Sequence, residues 1–578
     1  MAAAQFIQVI VPLKLEWEPY YRVPDGLEVK VGDRVKVLFA NSFYVATVSA
    51  IGVVPALPSD KIQPIEARED TLPAVSEPEI RFWRSVASYY LCTVGEVYKA
   101  AYPQMQHHQS RLQLSQNQPP QDSIVLSPAQ HKALQAIRQG FDTGKPVLLH
   151  GVSGSGKTEI ALKLALEAFA AGGSVLYLVP DITLSNQLEE RIRRVFPSAL
   201  CYHSGLTPGK RKLVAQQLRQ GGPNFVLGTR SALFLPHRRL GLVVIDQEHD
   251  TAYKQDAPAP RYHARESAIM LALVHGAKVL LNSATPSLES LYNAEIRRFI
   301  CVQLNERFQS GKPARTEIID TVAERRKKGM AGSFSLKLLA PMKAALEAGQ
   351  KILLLGPQRS YADAPRLEDE LLELFPSARI GSLEEGLSDP AFDILLGNAY
   401  TARASYLGRL GLVAVVGADL LLSRQDFRAD ERALQVLEQL QGHCPLMVIQ
   451  TREPGHPVFA QLCGEAHAVD RMLEERRIAG LPPFTRLVKV QLRDKNQKRV
   501  QYMAGELARE LQMAVGPVTG PFTPASHPAV QEFLREIRLT LPRSQELAAR
   551  KHALRHSLQA FEQSRKYLGH IILDIDPV

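Results

Sequence analysis

The chain has 578 residues, of which 45% are hydrophobic and 22% are charged. This length is several times that of a typical domain and the composition is that of a globular protein, which excludes a single small binding module, a wholly disordered chain and a collagen-like chain. Lysine and arginine number 69 against 59 aspartate and glutamate residues, and the formal net charge of +10 indicates a modest preference for polyanionic partners.

The first part of the chain, residues 1–102, predicts a β-rich domain of short strands. Apolar and polar residues alternate over 27–39 and 44–51, and a helical pattern follows over 79–98. Residues 103–123 are rich in glutamine and proline and have almost no apolar periodicity, which is typical of a linker. We therefore place the first domain boundary in this linker.

Short apolar runs alternate with helical patterns over residues 124–298 and again over 299–469. Such alternation predicts two α/β domains, each with a parallel sheet that is covered by helices on both faces. Residues 470–578 open with a charged helical segment, turn at Pro482 and Pro483, and then alternate strands with helices, which predicts a compact α+β domain. The predicted fold class is therefore α/β, with a β-rich domain at the N-terminus and an α+β domain at the C-terminus.

The most specific local pattern is a phosphate-binding loop in the first α/β domain. It fits G-x-x-x-x-G-K-[ST], lies between an apolar strand and an amphipathic helix, and consists of Gly151, Val152, Ser153, Gly154, Ser155, Gly156, Lys157 and Thr158. In such a loop, backbone N–H groups and the helix N-terminus bind the phosphates. Lys157 is expected to reach the β and γ oxygens, and the Thr158 hydroxyl is expected to bind Mg²⁺. The sequence thus predicts a site for ATP and Mg²⁺.

Two residues outside the loop complete the predicted nucleotide site. An apolar strand over 242–245 ends in Asp246, and a carboxylate at this place is expected to bind Mg²⁺ together with Thr158. Gln130 lies upstream of the loop at a distance that suits recognition of the adenine edge, although an isolated glutamine is commonly a surface residue. Thr158 and Asp246 are the predicted metal-binding residues.

The five cysteines are isolated in the sequence and form no C-x-x-C pair; they are Cys92, Cys201, Cys301, Cys444 and Cys463. This spacing predicts neither a zinc site nor a disulfide framework. No apolar run approaches the roughly 18 residues that a membrane span needs. The N-terminus lacks the cationic region of a secretory signal. We therefore expect a cytoplasmic protein without zinc and without a membrane partner.

Several motifs in the first α/β domain closely resemble those of the PriA family, the replication-restart helicases of superfamily 2. The matching segments are 151–159, 178–187, 203–206, 227–234, 244–250, 253–255, 261–265 and 283–286. Further matches follow in order towards both ends, at 11–13, 23–26, 426–432, 481–484, 516–517 and 574–577. The resemblance implies two RecA-like domains between an N-terminal β-rich DNA-binding domain and a C-terminal α+β domain.

Two departures from the family pattern affect the expected catalytic groups. Gln247 stands where the family has a glutamate that polarises the attacking water, and a neutral amide cannot accept a proton. A positioned general base is worth roughly 10²–10⁴ in rate. Residues 439–444 lack the arginine fingers of the family, and losing a finger costs approximately 10³–10⁵ in turnover. Either change predicts ATP turnover near background.

Three further departures concern the rest of the unwinding machinery. Residues 396–403 do not keep the family's Ile-Gly-Thr-Gln motif, so the second RecA-like domain is predicted to be degenerate. The segment 355–361 runs on without the cysteine-rich insertion that holds two zinc ions in the family, and the short linker leaves no room for the family's winged-helix domain. The pattern indicates that the scaffold has survived and that strand separation has been lost.

The resemblance also suggests DNA-binding residues. In the N-terminal domain the family's aspartate is absent, and Tyr20 and Tyr21 occupy its motif, where they could stack on a base while Lys36 or Arg34 binds phosphate. The alternative is that these are surface aromatics beside a solvated lysine. In the first α/β domain, the positions that match family residues facing single strands are Arg230, Lys254, Arg261, Tyr262 and Arg265.

These features together predict a replication-restart protein that binds branched or single-stranded DNA and supports reloading of the replicative helicase without effective ATP hydrolysis. The resemblance implies as partners the single-stranded-DNA-binding protein, primosome components and helicase-loading factors. The alternative is a weak DNA-stimulated ATPase and 3′-to-5′ DNA helicase, in which Glu248 and an unrecognised arginine have taken over the missing roles. Adjacent strand residues point to opposite sides, so Glu248 is not expected to face the nucleotide.

Overall fold

A computed structural model describes residues 5–102, 118–181, 186–307, 314–356, 367–382, 392–397, 410–422, 426–465, 467–524, 532–564 and 569–577. Within these ranges no helix combines the length and the apolar character that crossing a membrane requires. The described residues form four domains, each built around its own sheet.

The N-terminal domain is a five-stranded antiparallel sheet followed by two helices. Its strands have the spatial order β2-β1-β4-β3-β5. The elements are β1 (Phe6–Ile10), β2 (Tyr20–Arg22), β3 (Arg34–Phe39), β4 (Ser42–Ile51), β5 (Ala67–Arg68), α1 (Glu77–Tyr90) and α2 (Val94–Ala101). Helix α1 begins at Ser76 because the Ser76 hydroxyl accepts the Glu79 N–H and the Glu79 carboxylate accepts the Ser76 N–H, which satisfies two free backbone donors.

The first α/β domain has a seven-stranded parallel sheet with the order β12-β6-β11-β10-β7-β9-β8. The elements are α3 (Pro128–Asp142), β6 (Val147–Gly151), α4 (Lys157–Ala170), β7 (Ser174–Leu178), α5 (Asn186–Val195), β8 (Leu200–Tyr202), α6 (Pro208–Gln220), β9 (Phe225–Gly228), β10 (Leu240–Asp246), α7 (Ala264–His275), β11 (Lys278–Ser283), α8 (Leu288–Glu295) and β12 (Ile300–Leu304). Helices α3, α4 and α5 cover one face of the sheet, and α1, α6 and α7 cover the other.

The second α/β domain has a six-stranded parallel sheet with the order β13-β20-β19-β16-β18-β17. The elements are β13 (Arg315–Asp320), α9 (Thr321–Arg326), β14 (Met330–Ala331), β15 (Phe334–Ser335), α10 (Leu336–Glu347), β16 (Ile352–Leu355), α11 (Leu367–Leu374), β17 (Ile380–Ser382), β18 (Ile394–Gly397), β19 (Leu412–Val415), α12 (Asp419–Leu422), α13 (Ala429–Gln441), β20 (Leu446–Thr451), α14 (Pro457–Leu462) and α15 (Ala468–Ile478). Helices α10 and α11 pack on one face, and α13, α14 and α15 on the other.

The C-terminal domain is a four-stranded antiparallel sheet with the order β22-β23-β21-β24 and two long helices. The elements are β21 (Thr485–Asp494), α16 (Gln497–Ala514), β22 (Val518–Phe522), β23 (Phe533–Pro542), α17 (Leu547–Ser564) and β24 (His570–Ile575). Buried residues of α16, including Leu507 and Leu511, pack with buried residues of β21 and β23. The predicted fold class, α/β with a β-rich and an α+β domain at the two ends, is confirmed.

Side chains cross between the domains at several places, of which three show how the domains are arranged. The Phe82 ring of α1 lies 5.5 Å from the Phe234 ring of the first α/β domain. The ammonium of Lys254 pairs with the carboxylate of Asp574 on β24 at 2.8 Å. Leu288, the first residue of α8, is buried in the core of the second α/β domain. The N-terminal and C-terminal domains therefore both pack on the first α/β domain, and α8 links that domain to the second.

The structure shifts two of the predicted boundaries. Strand β12 pairs with β6, so the first α/β domain extends beyond residue 298 to Leu304. Helix α15 contributes Ala468 and Met472 to the core of the second α/β domain, so that domain extends beyond residue 469. In both cases the chain continues to bury apolar residues in the earlier core, which a change of sequence pattern alone does not reveal. The predicted linker falls mostly outside the described residues, apart from 118–123.

Candidate nucleotide site and DNA-binding surface

The phosphate loop connects β6 to α4 at the carboxyl edge of the first parallel sheet. Gly154 and Gly156 have φ angles of 76° and 81°, in the left-handed region that favours glycine. A Cβ atom on Gly156 would lie 2.0 Å from the Gln130 amide nitrogen, so only glycine fits there. Ser155 Oγ is buried and has no hydrogen-bond partner among the described residues. The loop therefore keeps the open backbone that phosphate binding needs.

Gln130 is a structural support of this loop. Its amide nitrogen donates to the carbonyls of Ser155 at 3.0 Å and Gly156 at 3.4 Å, and its amide oxygen accepts the Ser127 N–H at 2.8 Å. The residue is buried at 1% exposure. Both amide hydrogens are thus used within the protein, and the predicted contact of Gln130 with adenine would require exchange of these bonds. That contact stays a prediction.

The Lys157 side chain folds back onto the carbonyl groups of the phosphate loop. Its ammonium donates to the carbonyls of Gly151 at 2.8 Å and Val152 at 3.1 Å. Burial lowers the pKa of Lys157 to about 8, although the carboxylate of Asp246 favours the charged form. The ammonium is therefore close to the place where the terminal phosphates are expected, and its bonds to neutral carbonyls can be replaced by bonds to phosphate oxygens.

Asp246, Thr158 and Tyr177 lie together beneath the loop. The Tyr177 hydroxyl donates to Asp246 Oδ2 at 3.3 Å and also hydrogen-bonds to the Thr158 side chain. Burial raises the pKa of Asp246, and the charge of Lys157 and the Tyr177 hydrogen bond act in the opposite direction. A hydroxyl and a carboxylate are oxygen ligands that suit Mg²⁺. The residues present thus fit a magnesium–nucleotide complex; Tyr177 is a member of the site that the sequence patterns did not identify.

The two residues after Asp246 differ in role. Gln247 has a φ of 50°, and its N–H donates to Asp246 Oδ1 at 3.2 Å. Glu248 has no exposed surface. Its Oε2 accepts from Arg265 at 2.7 Å and from the Ser290 hydroxyl at 2.9 Å, and its Oε1 accepts the Ser287 N–H at 2.8 Å. Glu248 is therefore committed to holding the start of α8, as its predicted orientation away from the nucleotide implied.

The second α/β domain meets the phosphate loop through the end of α13. A Cβ atom on Gly442, the residue after α13, would lie 2.6 Å from the Cβ of Ser153. The segment 439–444 at this contact contains no arginine. Arg428 and Arg432, at the other end of α13, pair with Glu289 and Asp426. Residues 396–403, where the family's Ile-Gly-Thr-Gln motif is not kept, lie mostly outside the described residues. The same holds for 355–361, where the zinc-binding insertion of the family is missing.

One arginine that the sequence patterns did not identify lies near this contact. Arg307 follows β12 and acts electrostatically on His443 and Cys444, next to Gly442. Burial lowers the pKa of His443, and the positive charge of Arg307 lowers it further. Burial raises the pKa of Cys444 to about 12 against the same charge. No motif could have identified Arg307, because its position depends on the packing of the two domains.

The predicted DNA-binding residues of the N-terminal domain separate into buried and accessible ones. Tyr21 is 4% exposed and its hydroxyl donates to the Leu38 carbonyl at 2.8 Å, so its ring belongs to the domain core and cannot stack on a base in this structure. Tyr20 is partly exposed. Lys36 is exposed and its ammonium lies 4.6 Å from the centre of the Phe43 ring, which is 56% exposed. Phe43 is therefore an additional aromatic candidate.

The candidates of the first α/β domain mostly make structural contacts, as Arg265 does in its buried pair with Glu248. Tyr262 is 1% exposed and packs edge-on against Phe234, and Lys254 is 3% exposed and holds the C-terminal domain. Arg230 donates to the carbonyls of Ala252 and Lys254. These contacts correct the prediction for Tyr262 and Lys254, whose side chains have no access to DNA here. Arg261 stays partly exposed and is compatible with phosphate binding.

Three family models match separate parts of the chain. Residues 8–103 match the model described as 3′DNA-binding domain (3′BD), residues 127–294 match DEAD/DEAH box helicase, and residues 477–578 match Primosomal protein N C-terminal domain. These ranges coincide with the N-terminal, first α/β and C-terminal domains of the structure.

Proteins named replication restart protein PriA are similar to the chain over most of its length. The protein of Rickettsia conorii is 26% identical over 658 residues, and the similarity covers 99% of both chains. The protein of Haemophilus influenzae is 31% identical over 521 residues, covering 74% of this chain and 69% of that protein. The protein of Treponema pallidum is 29% identical over 505 residues, covering 72% and 75%.

Replacement of Glu248 tests whether this carboxylate is structural or catalytic. Glu248→Gln should lower the free energy of unfolding by about 3 kcal/mol, because it leaves the buried Arg265 with a weaker partner. The matched control Glu190→Gln breaks an exposed pair with Arg194 and should cost less than about 1 kcal/mol. Urea denaturation measures both. A variant as stable as the control but with reduced phosphate release would show that Glu248 acts on the nucleotide.

The pKa of Lys157 predicts a pH dependence of ATP binding. Bound phosphate favours the ammonium form, so above pH 8, where the free protein begins to lose this proton, binding must include proton uptake. The dissociation constant should therefore rise as pH increases beyond 8, approaching tenfold per pH unit at about full linkage. Titrations at several pH values measure this rise. Lys157→Arg keeps its charge throughout and should bind more weakly with little pH dependence; a flat wild-type profile would contradict the prediction.

Proposed function

The chain belongs to the PriA family of replication restart proteins, and we propose that it acts in replication restart as a pseudohelicase. It binds branched or single-stranded DNA and supports reloading of the replicative helicase, and it binds ATP with Mg²⁺ without hydrolysing it at a useful rate. The DNA-binding and helicase domains are common to the family, whereas the loss of ATP hydrolysis distinguishes this protein.

The observation that carries the proposal is the environment of Glu248. A general base must lie within hydrogen-bond reach of the water that it activates. The Glu248 carboxylate instead accepts hydrogen bonds from Arg265, Ser287 and Ser290, and the residue has no exposed surface. Gln247, which follows Asp246 directly, has no basic group to accept a proton. Gln247 and Glu248, the two residues that follow the predicted magnesium ligand Asp246, therefore supply no general base.

The contact between the two α/β domains supports the same conclusion. The end of α13 already touches Ser153 of the phosphate loop, so this is where the second domain would deliver a positive charge to the transferred phosphoryl group. Residues 439–444 contain no arginine, and Arg428 and Arg432 are held by carboxylates elsewhere. The second domain therefore contacts the phosphate loop through a segment that contains no arginine.

The nucleotide itself fits the residues that remain. The loop N–H groups and Lys157 would bind the phosphates, and Thr158 and Asp246 would hold Mg²⁺. A magnesium ion held by these two residues would neutralise part of the negative charge of the phosphates. Ser155 Oγ, which is buried without a partner, can donate to a phosphate oxygen.

DNA binding is assigned to the exposed aromatic and cationic side chains of the N-terminal domain. Trp17 and Phe43 are each 56% exposed, and Lys36 lies against the Phe43 ring. Aromatic rings stack on bases irrespective of sequence, and a neighbouring lysine binds the phosphate backbone. Tyr20 is a further candidate because it is partly exposed. The single-stranded-DNA-binding protein, primosome components and loading factors are proposed as protein partners from family membership.

Arg307 favours a second candidate function, that of a slow DNA-stimulated ATPase and 3′-to-5′ helicase. Its charge acts on His443 and Cys444 beside the contact with Ser153, so it could replace the missing finger. The general base would still be absent. The two candidates therefore differ in the effect of restoring a carboxylate at position 247.

Phosphate release with forked DNA distinguishes the two candidates. We expect turnover below about 1 s⁻¹, the lower end of ordinary enzymes, because Gln247 and Glu248 supply no base and residues 439–444 supply no arginine finger. Gln247→Glu should not raise it. If Gln247→Glu does raise turnover and the additional change Arg307→Ala abolishes the gain, the second candidate is correct and the pseudohelicase proposal fails. Arg315→Ala, which removes an exposed arginine, is the control for Arg307→Ala.

DNA binding has its own test. The affinity of the protein for forked DNA should fall steeply with salt, because phosphate contacts release counterions. Phe43→Ala should weaken binding by about 1–3 kcal/mol through loss of stacking. Leu57→Ala removes another exposed apolar side chain of the same domain, one that cannot stack as a ring, and is the control. Salt-independent affinity, or an equal effect of the two substitutions, would count against this assignment.

A further inference from the structure

Asn282, the last residue but one of β11, has an unusual environment. Its side chain has no exposed surface, and neither its amide nitrogen nor its amide oxygen has a hydrogen-bond partner among the described residues. A buried amide without partners is unfavourable, and such groups are uncommon in native proteins. An apolar side chain would fill the same position without this penalty, so the amide needs an explanation.

The sheet places Asn282 beside the magnesium-binding residues. Asn282 is the register partner of Asp246 in the parallel ladder of β10 and β11, and of Leu149 in β6, two residues before the end of the strand that leads into the phosphate loop. Register partners on neighbouring strands point to the same face of the sheet. Asn282 therefore projects to the face that carries the Asp246 carboxylate.

Away from this edge the same face is apolar. Two residues earlier on β11 and β10 lie Leu280 and Val244, which belong to the core under α4. At the edge itself the Tyr177 hydroxyl binds Asp246, and the Lys157 ammonium favours its charge. The Asn282 amide is thus the unsatisfied member of a polar group formed by three adjacent strands and the start of α4.

The main chain of Asn282 is already engaged. Its carbonyl accepts the Glu248 N–H at 3.1 Å, in the turn that follows Asp246. This bond fixes the backbone at the carboxyl ends of β10 and β11 relative to one another. The side-chain amide is therefore held in place while it lacks a partner, which is the condition of a preorganised binding group.

We propose that the side-chain amide of Asn282 binds the hydration shell of the Mg²⁺ ion that accompanies a nucleoside triphosphate in the loop. Magnesium keeps several of its waters in protein sites, and such waters both donate and accept hydrogen bonds. Asn282 thereby adds an outer contact to the Thr158 and Asp246 ligands. This role rests on the proposed binding of ATP and Mg²⁺, and it requires no hydrolysis.

The test compares ATP binding in millimolar Mg²⁺ with ATP binding in a chelator. The wild type should bind ATP more tightly with Mg²⁺. Asn282→Leu, of similar volume, should reduce this ratio of dissociation constants by about 10-fold or more, as replacement of outer-shell groups at metal sites commonly does. Its affinity in chelator and its melting temperature without ligand should not fall, because the substitution removes a buried unpaired amide.

The control is Val279→Ala, which shortens a buried side chain of the same strand and should lower the melting temperature while the ratio stays unchanged. Asn282→Ala serves if the leucine variant does not fold, with the same expected ratio. An unchanged ratio, equal weakening in Mg²⁺ and chelator, or a wild type without a Mg²⁺ effect would overturn the inference. Forked-DNA affinity, measured on the same preparations without nucleotide, reports separately on the proposed function.

Discussion

The carboxylate of Glu248 is the buried charge on which the arrangement of the two α/β domains depends. It compensates Arg265, accepts the backbone N–H of Ser287 and so fixes the start of α8. From that helix the Leu288 N–H donates to Glu431 of the second domain, and Glu289 pairs with Arg428. Burial favours the neutral form of Glu289, but Arg428 and Arg476 more than offset this and hold its pKa at about 2. A residue two positions after Asp246, the predicted magnesium ligand, thus connects the two domains.

This connection holds the second α/β domain against the first through buried contacts of α8. Helix α8 inserts Leu288 into the core of the second domain, and the ion pair between Glu289 and Arg428 lies beside it. The end of α13 in turn lies against Ser153 of the phosphate loop. The same logic applies to Lys254, whose buried pair with Asp574 fixes the C-terminal domain. Lys254, which the sequence suggests as a DNA-binding residue, thus holds two domains together.

The sequence predicted local features more reliably than it predicted the use of individual side chains. The phosphate loop was recognisable because its strand, glycines and helix are adjacent in the chain, and the α/β alternation follows from short-range periodicity. The boundaries after residues 298 and 469 were misplaced because β12 and α15 join the preceding core. Tyr21 and Tyr262 were assigned to DNA because aromatic residues in a motif look alike whether they are exposed or buried.

What the sequence determined by itself is the chemistry that is available: a loop that can bind phosphate, a carboxylate for the metal, and an amide in place of a base at position 247. What only the tertiary structure decided is which charged groups are free to act. Lys254 pairs with a carboxylate that lies 320 residues later in the chain, at Asp574. Arg307 follows a strand of the first α/β domain and acts electrostatically on His443 and Cys444 of the second, which only the packing of the two domains brings about. Burial and charge compensation are sums over such distant neighbours, and no local pattern encodes them.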